Sequence, residues 1–145
     1  MKVGNVRCII KHNNKILLCF CKSENHYFLP GGGIEFQELA KNAIFREIKE
    51  EMGLEKEQVK INSFVGVIEN MYADKHGLDL VFDVSLQNLN VVSQEAFKID
   101  FYWKDINEID KLNIRPEPVK EMIKNENINH VVSVDLDRKW SSDFT

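Results

Sequence analysis

Residues 29–54 read LPGGGIEFQELAKNAIFREIKEEMGL, and this stretch decides the fold. Three consecutive glycines, Gly31–Gly33, come first, and residues 38–52 after them contain neither Gly nor Pro. Because that segment is rich in good helix formers, it is predicted to be a helix. Gly53 then stands where a helix commonly ends in the left-handed conformation, which glycine adopts without strain. The stretch therefore predicts a glycine-rich loop that leads directly into a helix.

Three glutamates share one face of the predicted helix. Glu47, Glu50 and Glu51 stand at i, i+3 and i+4, so their side chains lie side by side. Such like charges repel by roughly 0.2–0.5 kcal/mol per pair unless something positive lies among them. A divalent cation such as Mg²⁺, which prefers carboxylate and phosphate oxygens, is the natural partner. The alternative is a solvated acidic face with Lys41 and Lys49 nearby, but the preceding glycine loop favours a metal site.

This stretch resembles the signature of the Nudix hydrolase family. The signature is Gly, five residues, Glu, seven residues, Arg-Glu, an aliphatic, any residue, Glu-Glu, any residue, Gly and an aliphatic. The chain fills every fixed position over 23 residues, with Gly32, Glu38, Arg46, Glu47, Ile48, Glu50, Glu51, Gly53 and Leu54. Gln37, where many members carry Gly, lies outside the fixed positions and bears on loop shape more than on chemistry. The resemblance implies an α/β fold, a Nudix-like α/β/α sandwich with a mixed β-sheet, as a single domain over residues 1–145.

The resemblance further implies a Mg²⁺-dependent hydrolase, with Mn²⁺ able to substitute. Its substrate would be a nucleoside diphosphate linked to another group, cleaved at the pyrophosphate bond. Such hydrolysis needs a metal to neutralise phosphate oxygens and a base to activate water. On this interpretation Glu50 and Glu51 bind the metal together with the main-chain carbonyl of Gly31 or Gly32. Glu47 is either a further ligand or the base.

Three other charged residues receive supporting roles by the same resemblance. Arg46 is expected to hold the loop and the catalytic glutamate in position, and it is counted among the catalytic residues. Glu38 is expected to support the loop and the start of the helix, where a negative charge is favourable. Glu95, just ahead of a predicted strand, occupies about the place from which some family members supply a further metal-binding acid. Its alternative is an ordinary loop acid.

Candidate substrate-binding residues lie on both sides of the signature. Gly31–Gly33 would let main-chain groups approach phosphate closely. Arg7, on the first predicted strand, either contacts phosphate or lies on a solvated strand face. Tyr72 resembles a tyrosine of dinucleoside-polyphosphate hydrolases, and it could stack on a base and donate its hydroxyl to phosphate. Its alternative is to cap the sheet edge. The proline of the ADP-ribose type is missing, because Glu69 and Asn70 occupy that neighbourhood.

The rest of the chain reads as strands with two short C-terminal helices. A tight turn at Asn13–Asn14 would join the first two strands and set Cys8 opposite Cys19, both as small apolar fillers rather than a redox or metal pair. His26 is expected to be a loop histidine before a short strand. Asp105 with Glu108 indicates the start of a short helix. Pro116 indicates the start of a second helix, whose inner face would carry Val119, Met122 and Ile123. Residues 141–145 are expected to fray. The predicted strands are 3–11, 16–21, 28–29, 59–72, 78–86, 97–103 and 131–134.

Composition restricts the class of protein. The chain has 145 residues, a net charge of −4, 43% hydrophobic and 29% charged residues. This is typical of one soluble domain with no attraction to nucleic acid or membrane. No signal peptide or membrane span is visible, and three cysteines without framework spacing fit a reducing cytoplasm. A monomer or homodimer acting on a small nucleotide is expected.

Two rival functions follow from the same fold. A nucleotide sensor that does not hydrolyse its ligand commonly lacks one of the signature acids, and all of them are present here. Messenger-RNA decapping would require a basic surface, against which the acidic balance argues. The substrate itself is left open, because sugar, dinucleoside, coenzyme and triphosphate enzymes share the signature.

Overall fold

The computed structural model describes residues 2–139, which form nine strands, two α-helices and two short 3₁₀ helices. The strands are β1 (Lys2–Ile9), β2 (Lys11–His12), β3 (Lys15–Cys21), β4 (His26–Phe28), β5 (Gly31–Glu35), β6 (Val59–Tyr72), β7 (His76–Leu86), β8 (Ile99–Asp105) and β9 (His130–Asp135). The α-helices are α1 (Ala40–Met52) and α2 (Val119–Lys124), and the 3₁₀ helices are Lys56–Gln58 and Ile106–Lys111. No helix in residues 2–139 is long and apolar enough to cross a membrane.

The strands form two sheets. The larger has the order β5-β1-β7-β6-β9, in which β1 is antiparallel to β5 and parallel to β7. The smaller is built around β3, which pairs with β2, β4 and β8. The expected mixed sheet is therefore confirmed.

The two α-helices cover opposite faces of the larger sheet. Ile48 of α1 packs in one core with Phe82 of β7. Met122 of α2 packs in a second core with Val81, the neighbour of Phe82. Because neighbouring side chains of a strand point to opposite faces, the sheet lies between the helices. The α/β/α architecture that the sequence predicted is thus confirmed.

The helix of the signature ends as predicted and begins two residues later. Gly53 adopts a φ of 70° and its N–H donates to the carbonyl of Lys49, which is the expected left-handed cap. At the other end, Gln37 has a φ of 65° and the N–H of Glu38 donates to the Glu35 carbonyl. A tight turn at residues 35–38 therefore delays the helix to Ala40. The inner face predicted for α2 is also buried.

The first hairpin is divided between the two sheets. Asn13 and Asn14 take positive φ, and the turn forms where it was predicted. On the N-terminal side of Ile10, however, the chain no longer pairs with β3: β1 belongs to the larger sheet. Cys8 pairs with Phe82, whereas Cys19 pairs with strands of the smaller sheet, so the predicted Cys8–Cys19 facing pair is wrong. Both thiols are buried, as expected of apolar fillers.

Strand β8 begins later than its apolar alternation predicts. Phe97 was expected inside, but it is 81% exposed. The N–H groups of Lys98 and Ile99 both donate to the Glu95 carbonyl, so residues 95–99 form a turn and the strand starts at Ile99. The longest strand, by contrast, spans residues 59–72 as predicted. The predicted fraying of residues 141–145 lies outside the described residues.

Candidate active site

Helix α1 presents two of its three signature glutamates to the protein interior. Glu47 and Glu51 are 8% and 9% exposed, because they stand on the same helical face as the core residues Ile44 and Ile48. Glu50 lies at the edge of this face with its side chain 54% exposed. The acid cluster therefore consists of two buried glutamates, Glu47 and Glu51, and one exposed glutamate, Glu50.

The glycine segment is a strand rather than the turn that was expected. Gly31–Gly33 open β5 and pair with β1. A Cβ atom on Gly32 would lie 2.3–2.5 Å from the carboxylate atoms of Glu47. Only glycine lets this carboxylate rest against the main chain, which brings the Gly32 peptide beside the acid cluster.

Arg46 joins the glycine strand to the acids. Its guanidinium donates to both Glu38 oxygens at 2.8 and 2.9 Å, to Glu47 at 2.8 Å and to the Gly33 carbonyl at 2.7 Å. It also lies 3.5 Å from a Glu50 oxygen. Hydrogen bonding by Arg46 lowers the pKa of Glu38 to about 2. This geometry fits the positioning role that the resemblance implied for Arg46 and Glu38.

The buried acids are electrostatically strained. Burial, and then the charge of Glu47, raises the pKa of Glu51 well above its ordinary value. Burial also raises the pKa of Glu47, against the hydrogen bond from Arg46. The charge of Glu47 thus disfavours a second charge on Glu51. A cation at this point would relieve the same repulsion.

A divalent cation fits this group of residues after a small rearrangement. No three His, Cys, Asp or Glu side chains of residues 2–139 are placed so that they could hold a metal ion as they stand. The carboxylate of Glu50 points to Arg46, but its exposed side chain is free to turn toward Glu51. Carboxylate oxygens with a main-chain carbonyl are the ligands that Mg²⁺ prefers. The donor set therefore suits Mg²⁺ or Mn²⁺.

Glu95 lies on a loop that is fastened to the acid cluster. The main-chain N–H of its neighbour Gln94 donates to the Glu51 carbonyl at 2.8 Å. The hydroxyl of Ser93 accepts from the Glu95 N–H at 3.1 Å and donates to the Ile99 carbonyl at 2.8 Å. The charge of Glu95 contributes to the raised pKa of Glu51. The structure thus brings Glu95 within electrostatic reach of the signature acids.

A cavity lies on the α2 face of the sheet, and it contains Arg7 and Tyr72. The cavity is partly open to solvent, and both apolar and charged side chains line it. Arg7 is buried, pairs with Asp79 at 3.6 Å and donates to the Leu29 carbonyl at 3.2 Å. The alternative of a solvated strand face for Arg7 is therefore wrong. Tyr72 is half-buried at the end of β6.

Arg7 connects the cavity with the acid cluster. Its charge acts to lower the pKa of Glu51 and that of Tyr72, so it lies within electrostatic range of both. The carbonyl to which it donates belongs to Leu29, two residues before the glycines. The charge of Arg7 therefore acts on both the cavity and the acid cluster.

Several cavity residues were missed by the sequence argument. His26 was expected on a loop, yet it is buried within β4 and lines the cavity. Asn70 and Asp79 also line it, and so does Arg115, which lies four residues before the start of α2. The available signal was weak: polar residues at inward positions of otherwise apolar strands, where burial is costly without a partner or a ligand.

The signature, the fold and the acid cluster agree with the comparisons, and the chain belongs to the Nudix family. The NUDIX domain model matches residues 1–125. The chain is 36% identical over 120 residues to an ADP-ribose pyrophosphatase of Methanocaldococcus jannaschii, covering 77% of this chain and 66% of that protein. It is 31% identical over 121 residues to the nucleoside triphosphatase NudI of Enterobacter sp., covering 71% and 82%. The chain spans just under two thirds of the length of the archaeal relative.

Solved structures show the same fold. A MutT protein from Methanosarcina mazei superposes with a TM-score of 0.71 and 19% sequence identity. The match covers 86% of this chain and 92% of that one.

Proposed function

We propose that the chain is a pyrophosphohydrolase that cleaves a nucleoside diphosphate linked to another group. The observation that carries this proposal is the pair of buried glutamates, Glu47 and Glu51, of which Glu47 lies against Gly32 and is held by Arg46. Burying two acids side by side is costly unless they bind a cation or a proton. The cavity contains Arg7, whose charge reaches Glu51, and it offers further cations in Arg115 and Arg138 for the phosphates of a nucleotide.

The reaction is attack of water on phosphorus, with rupture of one bond between phosphorus and the bridging oxygen. Both products then end in phosphate groups. A bound Mg²⁺ or Mn²⁺ neutralises phosphate oxygens and makes water more acidic. Glu50, Glu51 and the Gly32 carbonyl would hold it, with Glu95 contributing from its loop, and Glu47 would be either a further ligand or the base.

The protein's own groups supply position and proton transfer. Where Glu47 is not a ligand, its carboxylate is the group that accepts the proton of the attacking water. Arg46 holds Glu47 in place through its hydrogen bond at 2.8 Å. Arg7 faces the phosphate chain between the cavity and the acids, and Tyr72 stacks on the base. Gly31–Gly33 allow the main chain to approach the phosphates.

The relatives support a nucleotide as the substrate and leave its second part open. One is named an ADP-ribose pyrophosphatase and the other a nucleoside triphosphatase. We propose that the protein acts in the cytoplasm, as a monomer or homodimer. All three cysteines are buried as free thiols, which fits a reducing compartment.

A substrate panel tests the function. Sugar nucleotides, dinucleoside polyphosphates and nucleoside triphosphates are incubated with the purified chain, with Mg²⁺ and with EDTA, and the phosphate-ended products are identified by chromatography. Metal-dependent release of a nucleoside phosphate from at least one class is expected. Tight nucleotide binding without turnover of any class would instead indicate a sensor.

A further inference from the structure

Asn70 places an unpartnered hydrogen-bond acceptor at the cavity. Its side chain lies on β6, lines the cavity and is 3% exposed. The Nδ2 group donates to Asp79 at 3.4 Å. Within residues 2–139, its Oδ1 atom is buried and has no hydrogen-bond partner.

Asp79 fixes which end of the amide is presented. It is itself 3% exposed, accepts from the Asn5 amide at 2.9 Å and lies 3.6 Å from Arg7. An ionised carboxylate only accepts hydrogen bonds, so it attracts the amide nitrogen of Asn70 and leaves the oxygen facing away. Turning the amide over would set two oxygens against each other. Asn70 therefore offers an acceptor to whatever occupies the cavity.

Among the described residues no donor is in hydrogen-bond contact with this oxygen, although cations such as Arg7 and Arg115 line the same cavity. Ile68, Leu29 and Val119 supply apolar walls. A buried acceptor without a partner is destabilising, so this oxygen calls for a partner from outside the chain, such as a water, an ion or a bound molecule. Because Oδ1 is shielded from solvent, a ligand can reach it only with a donor group that projects from the ligand, and only after the side chains that cover the oxygen move aside.

We propose that Asn70 is a specificity-determining residue whose Oδ1 accepts a hydrogen bond from the exocyclic amino group of a nucleobase. This rests on the proposed function, which places a nucleotide in the cavity. An amino group projects beyond the edge of the ring and can reach a recessed acceptor. A ring carbonyl directed at the same place would meet the oxygens of Asn70 and Asp79 and be repelled. Bases with an amino group are therefore favoured over those without one.

Matched ligand pairs test this without any catalytic turnover. ADP and purine riboside 5′-diphosphate differ only in the amino group at position 6, and GDP and IDP only in that at position 2. Their affinities for the wild-type protein are measured by calorimetry in EDTA. At least tenfold tighter binding of the amino member of one pair is expected.

Variants identify Asn70 as the cause. Asn70→Leu and the smaller Asn70→Ser should bring the two members of that pair to within twofold of each other. Ile68→Val, two residues earlier on the same strand and lining the same cavity, trims the wall without touching a hydrogen bond and should retain the preference. Thermal unfolding checks that each variant is folded.

The outcomes separate this inference from the proposed function. The inference would be overturned by equal affinities within both pairs for the wild-type protein. It would also be overturned by a preference that survives both Asn70 variants, or by hydrolysis without nucleotide binding in the cavity. An Asn70-dependent preference in a chain that hydrolyses nothing in the panel would support the inference while the proposed hydrolase failed.

Discussion

The main-chain carbonyl of Glu51 accepts a hydrogen bond from the N–H of Gln94 at 2.8 Å. This bond joins the last turn of α1 to the loop that carries Glu95. Gly53 lies beside this bond, where a Cβ atom would be 3.1 Å from the side chain of Gln94. The distant acid is thus positioned by the same helix that carries the signature acids.

Replacing Glu51 tests its assignment as a metal ligand. Glu51→Gln removes a charge from a buried pair, so the fold should persist and thermal stability in EDTA should not fall. Turnover should drop by a factor on the order of 100 or more, since the charge stabilisation supplied through a metal ligand amounts to several kcal/mol. Mg²⁺ or Mn²⁺ should raise the Tm of the wild type but not of the variant. The exposed Glu55→Gln is the control, and a variant with activity within a few-fold of wild type would refute the assignment.

Gly32→Ala tests the contact between the glycine strand and Glu47. The added Cβ would lie 2.3–2.5 Å from the carboxylate, so Glu47 must move and the activity should fall at least tenfold. Gly77→Ala is the matched control, because a Cβ there meets nothing within 4 Å. Steady-state kinetics on both variants, with Tm values, make the comparison. Equal activity of the two would show that the contact has no catalytic importance.

The Arg46–Glu38 pair predicts a specific acid sensitivity. The folded pKa of Glu38 is about 2, below its ordinary value of 4.5. A depressed pKa means that its contribution to stability is complete above about pH 4.5 and is lost as the pH falls toward 2. Glu38→Gln should therefore lower the Tm at pH 7 and flatten its fall over that window. Tm values measured from pH 7 to 2.5 check this, with the exposed Glu126→Gln expected to follow the wild type.

The three cysteines are predicted to matter for stability and not for catalysis. Cys8, Cys19 and Cys21 are buried, and burial raises the pKa values of the Cys8 and Cys19 thiols, which makes them poor nucleophiles. Replacing all three by Ala should lower the Tm through lost packing while kcat/KM changes less than twofold. Loss of activity at an unchanged Tm would contradict this.

Tyr72 is predicted to act in substrate binding through its ring. Tyr72→Ala should raise KM for the best nucleotide of the panel several-fold, because stacking on a base contributes about 1–3 kcal/mol. Tyr72→Phe keeps the ring and should retain most of the affinity. Mg²⁺ affinity, followed by thermal shift, should be the same in both variants. An unchanged KM for Tyr72→Ala would remove Tyr72 from recognition.

The elements set by local pattern could be predicted, and those set by distant partners could not. The extent of the strand over residues 59–72 and the Gly53 cap that ends the signature helix are local properties, and both agree with the structure. The departure of β1 from its hairpin depends on β5 and β7, which lie far along the chain. Likewise the signature identified the acids on α1, whereas Asp79 meets its partner Asn5, 74 residues away in the sequence, through the pairing of β1 with β7.

The division of the first hairpin between two sheets has a consequence for how the molecule comes apart. Residues 2–12 run through one sheet and continue into the other, with Leu17 donating to the Ile10 carbonyl at the crossing. Neither sheet can lose its order without disturbing a strand that the other requires. Both sheets are therefore expected to unfold together as one cooperative unit, and the cavity and the acid cluster would disappear in the same event.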